Sequence, residues 1–344
     1  VSPRPRGVRR GDRPSLADVA QAAGVSAQTV SRVVNGHEGV VPETRARVLE
    51  SLRAVGYQPN TAARALATGR YGAIGVLVFS VSRLGDVRSL SGITQAAGRA
   101  GRAIQLLSLE EATAARVDSG IAALSASDVD GLVLVEADLL ERFDVAVRPG
   151  LPLVTTDAVP GPFPSVDTDQ AAGSRAAVEH LLDLGHRTVH HLAGPPTSRA
   201  AQVRARTWEE VLRGAGRPVP PPVVGDWTSA SGHRAGHLLA SLPEGEVTAV
   251  FSANDQMALG LLRALHERDR RVPQDVSVVG FDDVAEAGDF WPPLTTVHQD
   301  FETVGEHCVR ILLEEIAHPG RHRTGTTVVP VHLQLRASTA PPPS

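Results

Sequence analysis

Lysine is absent from this chain: all 34 of its Lys+Arg positions are arginine. Together with 32 glycines and 25 prolines, that bias reads as the composition of a GC-rich genome. Cysteine is nearly absent. The single residue, Cys308, excludes an internal disulfide and a thiolate metal cluster. Aromatic residues make up only 3% of the chain. No run reaches the ~18 apolar residues that a membrane span needs, and the charged N-terminal residues precede no apolar export segment. The expectation is a cytoplasmic protein with no membrane partner. Nucleophile elbows, Ser-His-Asp order and phosphate-cradling glycine loops are also missing, so neither an enzyme nor a cofactor is expected, and no metal.

What is present is unevenly charged. Residues 1–70 hold eleven arginines against five carboxylates, whereas the remainder holds 23 arginines against 33 carboxylates, within a formal net charge of -4. A basic head on an acidic body points to a polyanionic partner. A length of 344 residues exceeds one ordinary core and implies a small domain plus one or two larger ones.

The head begins after an arginine-studded tail, residues 1–14, that is expected to be disordered. Ser15 and Asp18 are spaced as a capping box, and Leu16, Val19 and Ala20 share the inner face of the helix that follows. Gly24 supplies a turn, Ser26 caps a second helix with Val30, Val33 and Val34 inward, and Asn35-Gly36 ends it. This is a helix-turn-helix pattern. A third helix, "PETRARVLESLRAVG", has Pro42 in its first turn and Gly56 at its end, but its cap position is Val41, a poor capping residue. The start of the second helix would face base edges in a major groove. Ser26, Ala27, Gln28, Thr29, Ser31, Arg32 and Asn35 are therefore the candidate contacts. Glutamine can pair with adenine and alanine can touch a thymine methyl.

Beyond the head, which spans 15–59, "YQPNTAARALATGR" sets a short alanine-rich helix between Pro59 and Gly69, with Asn60 as its cap. Seven or eight residues are too few for a stable helix in water. Ordering therefore requires support, and Leu66 is the one large apolar residue able to act as a wedge in a minor groove. Asn60, Ala63 and Leu66 complete the candidate DNA contacts, in a hinge and linker assigned to 60–72.

These stretches, "DVAQAAGVSAQTVSRVVNG", "PETRARVLESLRAVGYQPN" and "ARALATG", resemble the head and hinge of the lactose-repressor (LacI/GalR) family of transcriptional regulators. The resemblance extends over roughly residues 15–338. It implies a homodimer on double-stranded palindromic operator DNA, with paired hinge helices in the central minor groove.

From Ala73 short apolar runs alternate with helical stretches. Candidate strands are 73–79, 103–109, 130–135, 152–156, 187–193, 248–253 and 276–282, with amphipathic helices between them. Continuous apolar strands separated by helices mean parallel sheets, and there are too many for one sheet. The expectation is an α/β, two-lobed, periplasmic-binding-protein-like effector domain over 73–338. Lobe 1 is assigned to about 73–168 and 300–325, lobe 2 to about 169–299 and 326–338. The final residues, 339–344, are read as a disordered Pro-rich tail, and the lack of C-terminal heptads implies a dimer, not a tetramer.

Ligands of open parallel sheets bind beyond the carboxyl ends of the strands. Asp157, Asn254 and Asp282 stand at such ends, with Arg204, Trp227 and Gln299 in adjoining segments. Carboxylates, amides, a guanidinium and an indole suit a sugar or glycoside. Asp255 and Asp283 are weighed equally as structural carboxylates. "AGPPTSRAAQVRARTW", "GDW", "SANDQMALG", "VSVVGFDD" and "PPLTTVHQDF" also resemble effector-domain motifs of the family, which implies Asp157, Arg204, Trp227, Asn254, Asp282 and Gln299 as effector contacts. In the first lobe Phe79, Arg83, Asp86 and Val135 depart from the lactose-responsive pattern, and the bulky Phe79 with the charges of Arg83 and Asp86 would reshape that half of the pocket. The resulting expectation is a repressor released from its operator by a sugar inducer, with a corepressor-dependent regulator and a stand-alone sugar-binding protein as alternatives. An enzyme using Asp282 and Asp157 as an acid/base pair is the remote third reading.

His233 and His237 are spaced four apart, as two metal ligands on one helical face would be, but no third ligand accompanies them in the sequence. They read as surface or capping histidines. His190 and His191, adjacent in a strand, point to opposite faces and cannot chelate together.

Overall fold

The computed structural model describes residues 14–34, 39–57, 70–79, 84–109, 113–135, 147–156, 161–243, 245–320 and 324–343. Two compact units divide between Tyr71 and Gly72.

The first unit packs three helices: α1 (Leu16–Ala23), α2 (Ala27–Val34) and α3 (Pro42–Val55). The capping box is formed. The Asp18 amide donates to Ser15 Oγ at 3.4 Å and the Ser15 amide donates to Asp18 Oδ2 at 2.8 Å. Gly24 then turns the chain at φ 63°, in the left-handed region that favours glycine. Ser26 caps α2 by accepting the Thr29 amide at 3.1 Å. Val41 gives α3 no side-chain cap, and Pro42 occupies the first position, where a missing N–H costs nothing. Val19, Ala20, Ala23, Val30, Val33 and Val48 close the core, while Leu16 and Val34 are only half-buried at its rim.

The second unit contains two six-stranded sheets. The first, all parallel, consists of β1 (Ala73–Val78), β2 (Ala103–Ser108), β3 (Gly131–Val135), β4 (Leu153–Thr156), β5 (Pro164–Thr168) and β11 (Gly325–Val329), in the order β11-β5-β4-β3-β1-β2. The second consists of β6 (His190–Ala193), β7 (Val223–Val224), β8 (Ala249–Ser252), β9 (Ser277–Asp282), β10 (Thr295–His298) and β12 (His332–Gln334), in the order β12-β10-β9-β8-β6-β7. Only β12 among these pairs antiparallel, with β10. Helices cover both faces of each sheet, which is why runs such as Gly131–Val135 are apolar throughout. Against the first sheet lie α4 (Leu84–Arg99) and α10 (Phe301–Ala317) on one face and α5 (Ala114–Ala126) on the other. Against the second lie α8 (Ser229–Ala240) and α9 (Asp255–His266) on one face, with α6 (Gln170–Asp183) and α7 (Arg199–Gly214) opposite.

The chain passes between the sheets three times: after β5, after β10 and after β11. The first and third crossings touch, since the Asp169 amide donates to the Val329 carbonyl at 3.1 Å.

Two boundary expectations need correction. The sequence pattern puts residues 326–329 in lobe 2, but β11 pairs with β5 along its whole length and belongs to the first sheet. The Pro-rich composition of residues 339–343 predicts a disordered tail, but this segment is seated on the second lobe. The Ala340 amide donates to Ser277 Oγ at 2.9 Å, and His180 Nε2 lies 3.0 Å from Thr339 Oγ1. Proline content concealed hydrogen bonds that other residues of the segment make. Strands β5, β10 and β11 were not anticipated either. Each is rich in threonine or other polar residues, so apolar periodicity does not report them.

Candidate nucleic-acid and effector sites

Helix α2 presents an outward polar face above its buried valines. Ser26, Ala27, Gln28 and Arg32 are exposed, with Thr29 and Ser31 half-buried beside them. The inner pair Val30 and Val33 fixes the roll of the helix, so that face is set by packing. Asn35, Asn60, Ala63 and Leu66, and with them the hinge, lie outside the described residues.

In the second unit the cluster at the carboxyl ends of the strands forms around Arg204, on α7. Its Nε donates to Gln170 Oε1 at 2.8 Å, and Nη1 donates to the Ala253 carbonyl. Nη1 also lies 3.6 Å from Asp282 Oδ1. The guanidinium sits 3.7 Å above the Phe281 ring centroid and 5.6 Å from that of Trp227. Asp282, the last residue of β9, accepts from Gln299 Nε2 at 2.7 Å. Gln299 in turn accepts from the Thr168 hydroxyl and from Gln170 Nε2, the latter at 2.9 Å. Thr168 ends β5, Gln170 begins α6 and Gln299 follows β10, so two of the three crossings are hydrogen-bonded into the same network. Arg204, Asp282 and Gln299 are all buried. Burial pushes the Asp282 carboxyl up to about 6, while Arg204, Gln299 and Arg88 favour its charged form.

Trp227 is half-buried and adopts φ 73°, uncommon for a large residue. Its indole lies against Gly194, where a Cβ would meet the ring at 2.4 Å, so glycine is required there. Asp282 and Asp283 also have positive φ, 114° and 51°. Strain of this kind clusters at ligand clamps and switch regions.

Asn254, an expected effector contact, stands beside Trp227 at the start of α9. Its Oδ1 caps α9 by accepting the Met257 amide at 3.0 Å, and its Nδ2 donates to the Trp227 carbonyl at 3.1 Å. It thus caps α9 and holds the Trp227 backbone beside the cluster. Asp255 and Asp283 take the structural alternative. Asp255 accepts from Thr296 Oγ1 at 2.6 Å and the Val284 amide at 2.9 Å, and burial with the neighbouring Asp282 charge pushes its carboxyl up to about 8. Asp283 accepts from Arg336 Nη2 at 2.7 Å and pairs with His298 at 2.9 Å. Burial opposes ionisation of Asp283, yet these partners hold its carboxyl below the ordinary value. Phe79 and Val135 are both buried among apolar side chains of the first lobe's core. Asp157 and Arg83 lie outside the described residues, as does the side chain of Asp86.

One participant had no sequence signature. Arg88 of α4, in the first lobe, donates Nη1 to the carbonyls of Asp282 and Asp283 at 3.0 and 3.1 Å. It ties the first lobe to the strained turn that carries Asp282. Arg199 of the second lobe reaches back to Asp167 of β5 at 3.5 Å. His190 and His191 diverge as expected: His190 meets the Glu246 carbonyl, whereas His191 stacks between Trp208 and Phe251 and is held neutral by burial, down to about 4.

A small three-helix unit with an outward polar helix, followed by two parallel α/β sheets with a polar cluster at their strand ends, defines a regulator with separate DNA-binding and effector modules. Residues 15–60 match the lacI family of bacterial regulatory proteins, and residues 178–339 match the periplasmic binding protein-like domain. The chain is 35% identical over 336 residues to the lactose operon repressor of Escherichia coli K12, covering 95% of this chain and 91% of that protein. Its structure resembles that of the lac repressor dimer bound to operator and the anti-inducer ONPF, with TM-score 0.84, 33% identity, and coverage of 96% of this chain and 100% of that one. It also resembles a complex of the regulator CelR with cellobiose, with TM-score 0.69, 32% identity, and coverage of 95% and 100%. The chain belongs to the lacI family of bacterial regulatory proteins. These relatives are transcriptional regulators, not enzymes. Among the described residues no helix is long and apolar enough to cross a membrane.

Proposed function

We propose that this protein is a cytoplasmic, non-catalytic repressor that binds a palindromic operator as a homodimer and is released from it by a sugar or glycoside. The observation that carries the reading is the buried Arg204–Asp282–Gln299 cluster, hydrogen-bonded directly to the segments that cross between the lobes. A ligand hydroxyl that donates to Asp282 and accepts from Arg204 competes with bonds that also hold Gln299 and, through it, Thr168. The Trp227 indole offers the apolar face that sugar C–H groups require. Ligand binding at one end of this network therefore changes the free energy of the lobe arrangement at the crossings. Asp157 is proposed to complete the pocket from the first lobe.

At the head, Gln28 is proposed to read a base edge, with Arg32 on a base or adjacent phosphate and Ser26, Ala27, Thr29, Ser31 and Asn35 beside them. Asn60, Ala63 and Leu66 are proposed to order on the operator, with the leucine as a minor-groove wedge. Induction is favoured over corepression because the pocket motifs follow the lactose-responsive type.

Selection of binding sites from a random duplex library with purified protein tests the head. A palindrome is expected, and Gln28→Ala should change preference at one symmetric base pair by about 1–3 kcal/mol. Calorimetry with cellobiose, lactose and ribose tests the pocket. One of these sugars or a related glycoside should bind the wild type, and Arg204→Lys should bind it at least about tenfold more weakly, the loss expected when a forked, hydrogen-bonded guanidinium becomes a point charge. Equal affinity in both proteins would remove Arg204 from the site.

A further inference from the structure

On one face of lobe 2, α8 and α9 pack backbone against backbone. Three glycines permit this approach. A Cβ at Gly232 would lie 2.1 Å from the Met257 carbonyl oxygen, one at Gly260 would lie 1.9 Å from the Ser229 carbonyl oxygen, and one at Gly236 would lie 2.6 Å from the Ala264 Cβ. The close approach brings Glu267, just past the end of α9, against the His233 and His237 face of α8. His233 Nε2 lies 2.7 Å from Glu267 Oε2, His237 Nε2 lies 3.1 Å from the same oxygen, and the two Nε2 atoms are 3.2 Å apart. The third ligand that the sequence did not reveal is therefore supplied by the neighbouring helix.

We propose that His233, His237 and Glu267 form a site for a divalent transition-metal ion of the zinc type. Zinc takes imidazole nitrogen at about 2.0–2.1 Å and carboxylate oxygen at about 2.0–2.2 Å, so ligand atoms on a tetrahedral ion stand about 3.3–3.5 Å apart. Two of the separations, 3.1 and 3.2 Å, fall just inside that spacing, and the third, the 2.7 Å hydrogen bond between His233 and Glu267, opens by about 0.6 Å to admit the ion. Two imidazoles and one carboxylate favour zinc, copper or nickel over magnesium or calcium. The side chains are each roughly one-third exposed, which leaves an entry path and room for a water as fourth ligand. Among the described residues no other group of three such side chains converges this closely.

The surroundings orient the ligands. Arg263 Nε donates to the other carboxylate oxygen, Glu267 Oε1, at 2.8 Å and leaves Oε2 directed at the imidazoles. Supporting bonds of this kind raise affinity by fixing ligand geometry. The two imidazoles stand edge to face at 87°, with centroids 4.6 Å apart. Arg268 Nε donates to His237 Nδ1 at 3.2 Å, which leaves the ring proton on Nε2 in the neutral imidazole. Metal binding moves the proton to Nδ1, and the exposed Arg268 side chain swings away. The glycine-fixed helix pair spares most of the ordering cost, because the backbone carrying all three ligands is already in place.

The test uses the full chain, stripped of metal by chelator and dialysed. Zinc binding is followed by calorimetry, and cobalt binding by its visible absorption. One equivalent per chain is expected, with nitrogen and oxygen ligation seen in the cobalt spectrum. His237→Ala and Glu267→Gln should each weaken zinc binding at least about tenfold, as loss of a direct ligand exceeds the effect of losing a supporting one, and His233→Ala/His237→Ala should abolish the one-equivalent event. His318→Ala, on α10's end, should leave it unchanged. Far-UV circular dichroism identifies variants that remain folded, and the isosteric Glu267→Gln keeps the test open where an alanine variant does not fold. A wild type that binds no zinc, or a double variant that binds it as the wild type does, would overturn the proposal.

Discussion

At the scale of single residues, two buried groups set the behaviour of the second unit. Arg204 is enclosed by Phe281, Gln170, the Ala253 carbonyl and Asp282. Arg204→Ala removes one partner of a buried charge pair and leaves a cavity beside Phe281. A loss of about 3–5 kcal/mol is expected, measurable by urea denaturation, so effector assays are better run on Arg204→Lys. Asp255 sets a pH dependence. Its folded carboxyl lies at about 8, above the unfolded value of about 3.9. Between those values the folded state holds a proton that the unfolded state has released. Its contribution is therefore complete below about pH 4 and is lost progressively as pH rises through about 8. Denaturation at pH 5, 6.5 and 8 should show wild-type stability falling relative to Asp255→Asn. Parallel curves would place the Asp255 carboxyl at an ordinary value. Of these residues, Asp282 is legible because the end of its strand is readable from an apolar run, whereas Arg204, on a helix, and Gln299, after the polar strand β10, are signalled by the resemblance of their motifs. Asn254 is visible at a strand end in the same way as Asp282, and its place directly before a helix also marks it as a cap. Arg88 was illegible, since its partners lie 194 and 195 residues away.

Elements carry the next level of the account. In the head, caps define where α1 and α2 begin, and the valines decide which way α2 faces. Ser15→Ala removes an acceptor for the Asp18 amide and should cost about 1 kcal/mol, read as a lowered melting temperature with unchanged site preference. In the second lobe the glycine-lined contact between α8 and α9 admits no side chain. Gly232→Ala places a methyl 2.1 Å from the Met257 carbonyl oxygen, and overpacking there should cost about 1–3 kcal/mol or more. A neutral effect in thermal denaturation would show that the helices can separate freely. The sequence exposed these helices through their caps and apolar faces, but not their separation, because glycine spacing alone does not identify the partner helix. Strands β5, β10 and β11 were hidden for a related reason. Strands β5 and β10 bury threonines and an aspartate whose polar groups are satisfied, as Thr296 is by Asp255 and Ser165 by Asp167, so their burial leaves no apolar pattern, and β11, an edge strand, buries only Val329.

For the whole molecule, the effector unit is two sheets joined by three crossings, with the polar cluster wired to two of them and Arg88 bridging the lobes at Asp282 and Asp283. A ligand shifts such an equilibrium only by the difference in its affinity for the two lobe arrangements. Couplings of about 1–3 kcal/mol, or 5–150-fold in affinity, are typical. Arg88→Met removes one bridge while leaving the side-chain hydrogen bonds among Arg204, Asp282 and Gln299 in place, so it should change the size of the effector response more than it changes sugar affinity. Operator titrations of that variant with and without sugar provide the check, and an unchanged response would make the bridge incidental. The central claim is that occupation of the Arg204–Asp282–Gln299 site controls the DNA-binding head. Its most direct test is the operator dissociation constant of the wild type and Arg204→Lys, measured across a titration of the sugar found by calorimetry. The account predicts that saturating sugar weakens wild-type operator binding by about 5–150-fold, and that Arg204→Lys binds the operator equally well without sugar but hardly responds at the same concentration. A sugar that binds the wild type yet leaves its operator affinity unchanged would contradict it.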